Sequence, residues 1–311
     1  MTAEDTAGTV EHTAVSERTV IWLWLSIAAA VLALAGSVIG LAVDSIYADL
    51  TSAFLPQALA QDIANLALAA PAMLICGVLA LRGSLRAYLV WLGVVTFTVY
   101  NYVIYTFSIP FGPLFPLWVA VLGLCIYALI GGLAAISRDA VAARFTSPRA
   151  VAVAAWFLIV VAILFGLLWL SEDVPALVTG DTPQSVIDMA LPTNPVHILD
   201  LAFFLPAVVV TGILLLKRRP FAYAAAPALV VFLILTGVPI LFTPLVQAAR
   251  GETASWGVMV PIGALTVALL GVLTWLLSTV RADERPSAEP DRPGRKCDRG
   301  VVPALSKLSS S

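Results

Sequence analysis

An all-α membrane protein of eight transmembrane helices, arranged as two parallel four-helix repeats, is the fold class this sequence predicts. Three observations lead to it. Of 311 residues, 60% are hydrophobic and only 12% charged, about half the charged fraction of an ordinary soluble domain. Apolar runs of about 20 residues, enough to cross a hydrocarbon core of about 30 Å as helices, recur along almost the whole chain, whereas barrel strands would be shorter and alternating. Finally, residues 62–88 and 197–223 align without a gap at an offset of 135 (197 − 62), with ten identities in 27 positions.

An apolar alphabet produces chance matches readily, so the informative pairs are the residues it would not supply. Pro71 falls on Pro206, Gly77 on Gly212 and Arg82 on Lys217. The same frame sets Asp62 against His197 and Asn65 against Asp200, placing polar pairs at one mouth of both repeats.

Residues 1–19 carry four acids against Arg18 alone, the wrong charge for a signal peptide or a transit peptide. They are expected to be a cytoplasmic segment ahead of a retained first helix at 20–43, with Trp22 and Trp24 as interfacial anchors. A long loop, 44–60, contains Asp44, Tyr47, Asp49 and Pro56. Helix 2 is expected over 61–81 and is closed by Arg82 and Gly83. Helix 3 follows over 86–108, its far half carrying Tyr100, Asn101, Tyr102 and Tyr105. Three prolines and a glycine in SIPFGPLFP break the chain before helix 4, over 116–136.

Helix 5 is expected over 150–171, followed by a second long acidic loop, Ser171 to Pro195, that mirrors the first. Pro56-Gln57 and Pro183-Gln184 are each placed to open a short helix, the second with Asp181 or Thr182 as cap and Pro183 in the first turn. Asn194-Pro195 is a start signal for helix 6, over 195–216. Helix 7, over 221–247, contains Pro239 and Pro244 and is expected to bend or break in its second half. Helix 8 spans 256–280. The transmembrane domain is thus 20–280, with repeat one at 20–137 and repeat two at 150–280. Residues 281–311, rich in Arg, Asp, Pro and Ser, read as a disordered cytoplasmic tail.

Basic residues set the orientation. The 2–3, 4–5 and 6–7 connections hold Arg82 and Arg86, then Arg138, Arg144 and Arg149, then Lys217, Arg218 and Arg219, and the tail holds seven more Lys or Arg. The opposite side has Arg250 among nine acids. Both termini are expected to be cytoplasmic, in a cell inner membrane. An even number of helices per repeat makes the halves parallel, related by an axis along the membrane normal.

Six residues form the candidate ligand-binding set: Asp62, Asn65, Asn101, Tyr105, His197 and Asp200. His197 and Asp200 share a helical face, as do Asp62 and Asn65, and Asn101 and Tyr105. Facing halves would bring these groups to one shallow extracytoplasmic pocket. Ionisable groups in membrane helices are expensive, so one reading is a pocket that binds or transports a small solute or lipid. A second is a membrane-embedded enzyme using His197 and Asp200 on a lipid-borne substrate. A third is a non-catalytic scaffold in which these groups cap turns and hold helices together.

Two histidines and three cysteines without metal spacing predict neither metal site nor cofactor. A net charge of −2 gives no footprint for nucleic acid, which leaves membrane lipids and a small-molecule or lipid ligand as partners. The Gly36/Gly40 spacing suits close helix packing within the chain or dimerisation, and the oligomeric state is left open. The segments QDIANL, LRGSLRAYLVWLG, VYNYVIYTF and NPVHILDLAFFLPA, within residues 35–245, resemble a group of bacterial multi-pass inner-membrane proteins without an assigned activity. That resemblance implies the localisation and an intact domain, and no substrate or catalytic residue.

Overall fold

The computed structural model describes residues 19–281; the N-terminal segment and the tail, with His12 and Cys297, lie outside the described residues. Eight helices are long and apolar enough to cross a membrane: α1 Val20–Ala42, α2 Leu55–Leu81, α3 Leu85–Ser108, α4 Phe115–Ala135, α5 Pro148–Thr179, α6 Pro195–Leu216, α7 Pro220–Ala249 and α8 Trp256–Ser278. The chain is therefore an all-α, multi-pass membrane protein.

Four boundaries differ from expectation, each for a local reason. α2 begins at Leu55 because Pro56 occupies its first turn, where a missing N–H costs nothing. α5 runs two turns further, to Thr179, and stops at Gly180 in the left-handed conformation (φ 78°). Glu172 and Asp173 consequently stand on a helix and not in a loop. Pro183 precedes a short helix, Gln184–Met189, at the N-cap position with no side-chain cap. α7 is not broken: it continues through Pro227, Pro239 and Pro244. Packing against α2, α3, α6 and α8 holds it, as neighbouring helices commonly do for prolines in membranes. Asn194 does cap α6, its Oδ1 accepting the N–H groups of Val196 (3.0 Å) and His197 (3.3 Å).

α3 is the central helix, with 78% of its apolar window buried against 22–56% for the others. It carries Thr96, Thr98, Tyr100, Asn101, Tyr102 and Tyr105, all buried. The hydrocarbon around a bundle gives no hydrophobic drive to associate, so close approach of backbones does much of that job. On α1 the buried stripe is small and helically spaced: Ser26, Ala29, Ala30, Ala33, Gly36, Ser37 and Gly40. A Cβ on Gly36 would meet Leu117 of α4 at 2.8 Å, and one on Gly131 of α4 would overlap the Trp22 indole. The GxxxG spacing is thus used within the chain, and Trp22 packs on α4 while Trp24 stays exposed. α3 crosses α7 where a Cβ on Gly93 would run into the carbonyl oxygen of Ala228. These two residues are themselves 135 apart (228 − 93).

Two further features recur at that offset. α2 and α6 each contain a π turn, Asn65–Ala69 and Asp200–Phe204, closed by Ala70 N–H on the Asn65 carbonyl and Leu205 N–H on the Asp200 carbonyl. In each, a proline follows immediately, Pro71 or Pro206; a proline cannot donate and its ring crowds the carbonyl four residues back, and a wider turn relieves both problems. At the basic end, α2 and α6 both stop at a left-handed residue, Gly83 (φ 88°) and Arg218 (φ 54°). Ser84 N–H then reaches the Leu79 carbonyl (3.1 Å) and Arg219 N–H the Leu214 carbonyl (2.9 Å). The same end is tied together by Arg86, whose guanidinium donates to the Val280 carbonyl at 3.2 and 2.5 Å.

Candidate functional site

The two π turns place Asn65 and Asp200 at corresponding points of α2 and α6, one turn beyond Asp62 and His197. Each polar pair sits in a different environment.

In the first half, both oxygens of Asp62 are satisfied by phenols: Tyr47 Oη donates to Oδ2 (2.7 Å) and Tyr105 Oη to Oδ1 (2.9 Å). Tyr47 lies on the 3-10 turn after α1, outside the spans. Burial, then the neighbouring carboxylate, push its phenol well above the ordinary range, so it stays a donor. Asn65 Oδ1 accepts from Gln61 Nε2 and Asn101 Nδ2, each at 3.3 Å, and Asn65 Nδ2 donates to Ser37 Oγ at 3.3 Å. Tyr105 is clamped by Tyr102, stacked at 5.4 Å, and by Trp118, edge-on at 5.4 Å. Gly40 admits the cluster: a Cβ there would strike the Asp62 carboxylate and lie 2.9 Å from Tyr47 Oη.

In the second half, His197 and Asp200 do not bond to each other. His197 Nδ1 pairs with Asp173 Oδ1 at 2.9 Å, and its Nε2 lies 3.8 Å from Glu172 Oε2. Its ring stacks on Trp169 at 4.6 Å between centroids. Trp169 Nε1 in turn donates to Asp200 Oδ2 at 2.8 Å. Tyr100 is buried with its hydroxyl beside Asp200, in looser geometry than a well-formed hydrogen bond. Ser185 N–H donates to Glu172 Oε1 (2.9 Å) and Ser185 Oγ accepts from Asn194 Nδ2 (3.0 Å). No hydrogen bond links that hydroxyl to His197, so the arrangement lacks a nucleophile-and-base pair.

A cavity of about 390 Å³ opens beside this second cluster, between α2, α3, α5, the short helix Gln184–Met189, α6, α7 and α8, within the range of small-molecule pockets. It is deep, not shallow. Asn101, Tyr105, His197 and Asp200 line it, whereas Asp62 and Asn65 stand behind its wall. The polar end also carries Gln61, Trp169, Glu172, Ser185 and Asn194; the rest is mostly hydrocarbon and aromatic, including Phe97, Val161, Phe165, Phe232 and Leu269, with the hydroxyls of Thr236, Thr243 and Thr266 turned to their own helices. Glu172, a third exposed, marks the mouth. Beside the cavity α5 and α8 touch far less than α1 and α4 do in the first half.

Sequence reasoning did not single out Glu172, Asp173, Trp169, Tyr47 or Ser37. For the first two the missed signal was Gly180: the polar Ser171-Glu172-Asp173 ends the apolar run and Pro175 reads as a breaker, yet the helix continues through Pro175 to its C-cap at Gly180. Among the described residues no three of His, Cys, Asp and Glu gather as metal ligands. No protein-family model, curated protein or solved structure matches this chain.

Proposed function

We propose that this chain binds or transports a small amphipathic solute or lipid, held in the cavity of the second half. The observation that carries this reading is the cavity's two-part lining: His197, Asp200, Asn101 and Tyr105 at one end, aromatic and aliphatic side chains over the rest. Ionisable groups are costly at membrane depth unless they serve a site or pair off, and Asp200 is met by an indole N–H and a neighbouring phenol but by no Lys or Arg. The looser α5–α8 seam is the route from the bilayer.

The wider setting is read from charge and symmetry. The basic connections between α2 and α3, α4 and α5, and α6 and α7 face the cytoplasm of a cell inner membrane with both termini, and the cavity mouth faces outward. Two four-helix repeats, 20–137 and 150–280, are related by an axis along the membrane normal. The contact of Gly93 with Ala228, the paired π turns and the paired left-handed ends support that relation.

Native mass spectrometry of protein released gently from membranes tests the binding reading. A discrete bound mass is expected on the wild type and is lost in Asp200→Asn and in Thr236→Trp, which puts an indole into the cavity. If all three carry the same generic lipids, or none, the chain is a scaffold and the cavity holds no specific ligand.

A further inference from the structure

Resting on that binding reading, we infer that the ligand is an amphipathic amine, its protonated nitrogen bound at Asp200 and Tyr100 and its hydrocarbon part lodged between α5, α7 and α8. Three independent features of the cavity point to this class.

The first is charge. Glu172 and Asp200 line the cavity, with Asp173 bonded to His197 at its edge, and no Lys or Arg lines it. Even a protonated His197 compensates one of three carboxylates, and its contacts are to Asp173 and Glu172, not to Asp200. A cation entering the site relieves an unpaired carboxylate in a low-dielectric setting, and an anion adds to the repulsion.

The second is the balance of donors and acceptors. Most side-chain donors around the cavity are committed. Trp169 Nε1 serves Asp200, Asn101 Nδ2 and Gln61 Nε2 each give one N–H to Asn65, and Asn194 Nδ2 gives one to Ser185. The hydroxyls of Thr236, Thr243 and Thr266 donate to carbonyls of their own helices. Charged acceptor capacity is what remains. The Asp200 carboxylate keeps lone pairs beyond those facing Trp169 and Tyr100, and Asn101 Oδ1 takes part in no hydrogen bond within the protein. A ligand rich in N–H donors and carrying positive charge matches that surplus, since an ammonium offers up to three donors and no acceptor.

The third is Tyr100, 4% exposed and lining the cavity, its hydroxyl beside Asp200 in looser geometry than a well-formed hydrogen bond. Its oxygen lone pairs are not taken by any donor of the protein and suit an ammonium N–H next to Asp200. Below it the lining turns apolar through Phe232, Phe165 and Leu269, which suits a chain and not a second charge.

Four probes with the same eight-carbon chain, n-octylamine, octyltrimethylammonium, octanol and octanoate, separate these features when titrated at pH 7 against the full chain in nanodiscs, with affinity read from melting temperature. Octylamine is expected to bind at least about tenfold more tightly than octanol, as a charge-assisted hydrogen bond does, and more tightly than the quaternary ammonium, which has charge but no N–H. Asp200→Asn should remove that advantage and leave octanol binding unchanged; Tyr100→Phe should reduce it several-fold. Octanoate or octanol binding as well as octylamine, or a quaternary probe equal to the primary amine, overturns the inference while leaving a ligand pocket in place. Failure of all four probes on a folded wild type overturns the inference as well, and a bound native mass then decides whether the binding reading survives it.

Discussion

Asp62 and Asp200 are both buried carboxylates on membrane helices, Asp62 one turn before its π turn and Asp200 at the start of the matching one, yet one is closed and the other open. Asp62 has a phenol on each oxygen and side chains packed around it; Asp200 has one indole, a loosely placed phenol beside it and a cavity in front of it. The difference is made by neighbours. In the first half Gly40 leaves room for Tyr47 to swing in from the α1–α2 connection, and α1 and α4 shut the bundle. In the second half the chain after α5 forms a short separate helix, Gln184–Met189, and α5 and α8 meet only loosely. One polar turn is packed shut, and its counterpart borders open space.

The sharpest way to break this comparison is to delete each carboxylate. Asp62→Ala strands two buried phenols and should cost about 3 kcal/mol or more of stability, whereas Asp200→Ala releases one indole at a cavity wall and should cost about 1 kcal/mol. Melting of the purified proteins in one detergent ranks them; equal losses would mean that the second site is as structural as the first. Glycines make the next contrast. Gly40→Ala pushes a methyl into the Asp62 carboxylate and should destabilise by about 1–3 kcal/mol. Gly166→Ala on α5 meets only Leu205 at 3.9 Å and should be neutral or stabilise by up to about 1 kcal/mol through helix propensity.

Removing a hydroxyl separates the halves by size. Tyr105→Phe gives up a well-formed bond to Asp62 and should lower stability by about 1 kcal/mol; Tyr100→Phe gives up only a loose contact with Asp200 and should change it by less than about 0.5 kcal/mol. An equal loss in both variants would show that the Tyr100 hydroxyl is engaged in the protein and not reserved for a ligand. The smallest effect concerns the matched helix ends. Arg218 holds a left-handed conformation that Gly83 holds without strain, so Arg218→Gly should gain, and Gly83→Ala lose, about 1 kcal/mol; opposite shifts in the two melts would support the correspondence of α2 and α6.

Much of the fold was legible because it is written locally. Apolar runs bounded by Arg82-Gly83, SIPFGPLFP and Lys217-Arg218-Arg219-Pro220 mark most helices to within a residue or two, and Asn194-Pro195 announces α6 through an Asx cap. The errors arose where hydropathy and helix chemistry disagree. Ser171-Glu172-Asp173 is too polar to extend an apolar run, and Pro175, Pro239 and Pro244 read as breakers although the helices continue through them; Pro56-Gln57 does open a helix, but that helix runs on into α2 without a break.

The sequence by itself determined the eight spans, the basic and acidic ends, and the offset that sets Asp62 and Asn65 against His197 and Asp200. These follow from hydrocarbon thickness, from charge and from residues close together in the chain. Only the tertiary structure decided that Asp173 and not Asp200 holds His197, that Trp169 holds Asp200, and that a cavity opens at one π turn and not at the other. Those outcomes depend on contacts between helices far apart in the chain. There, the presence or absence of a single Cβ, as at Gly40 or Gly93, sets how closely two backbones approach and whether a space is filled.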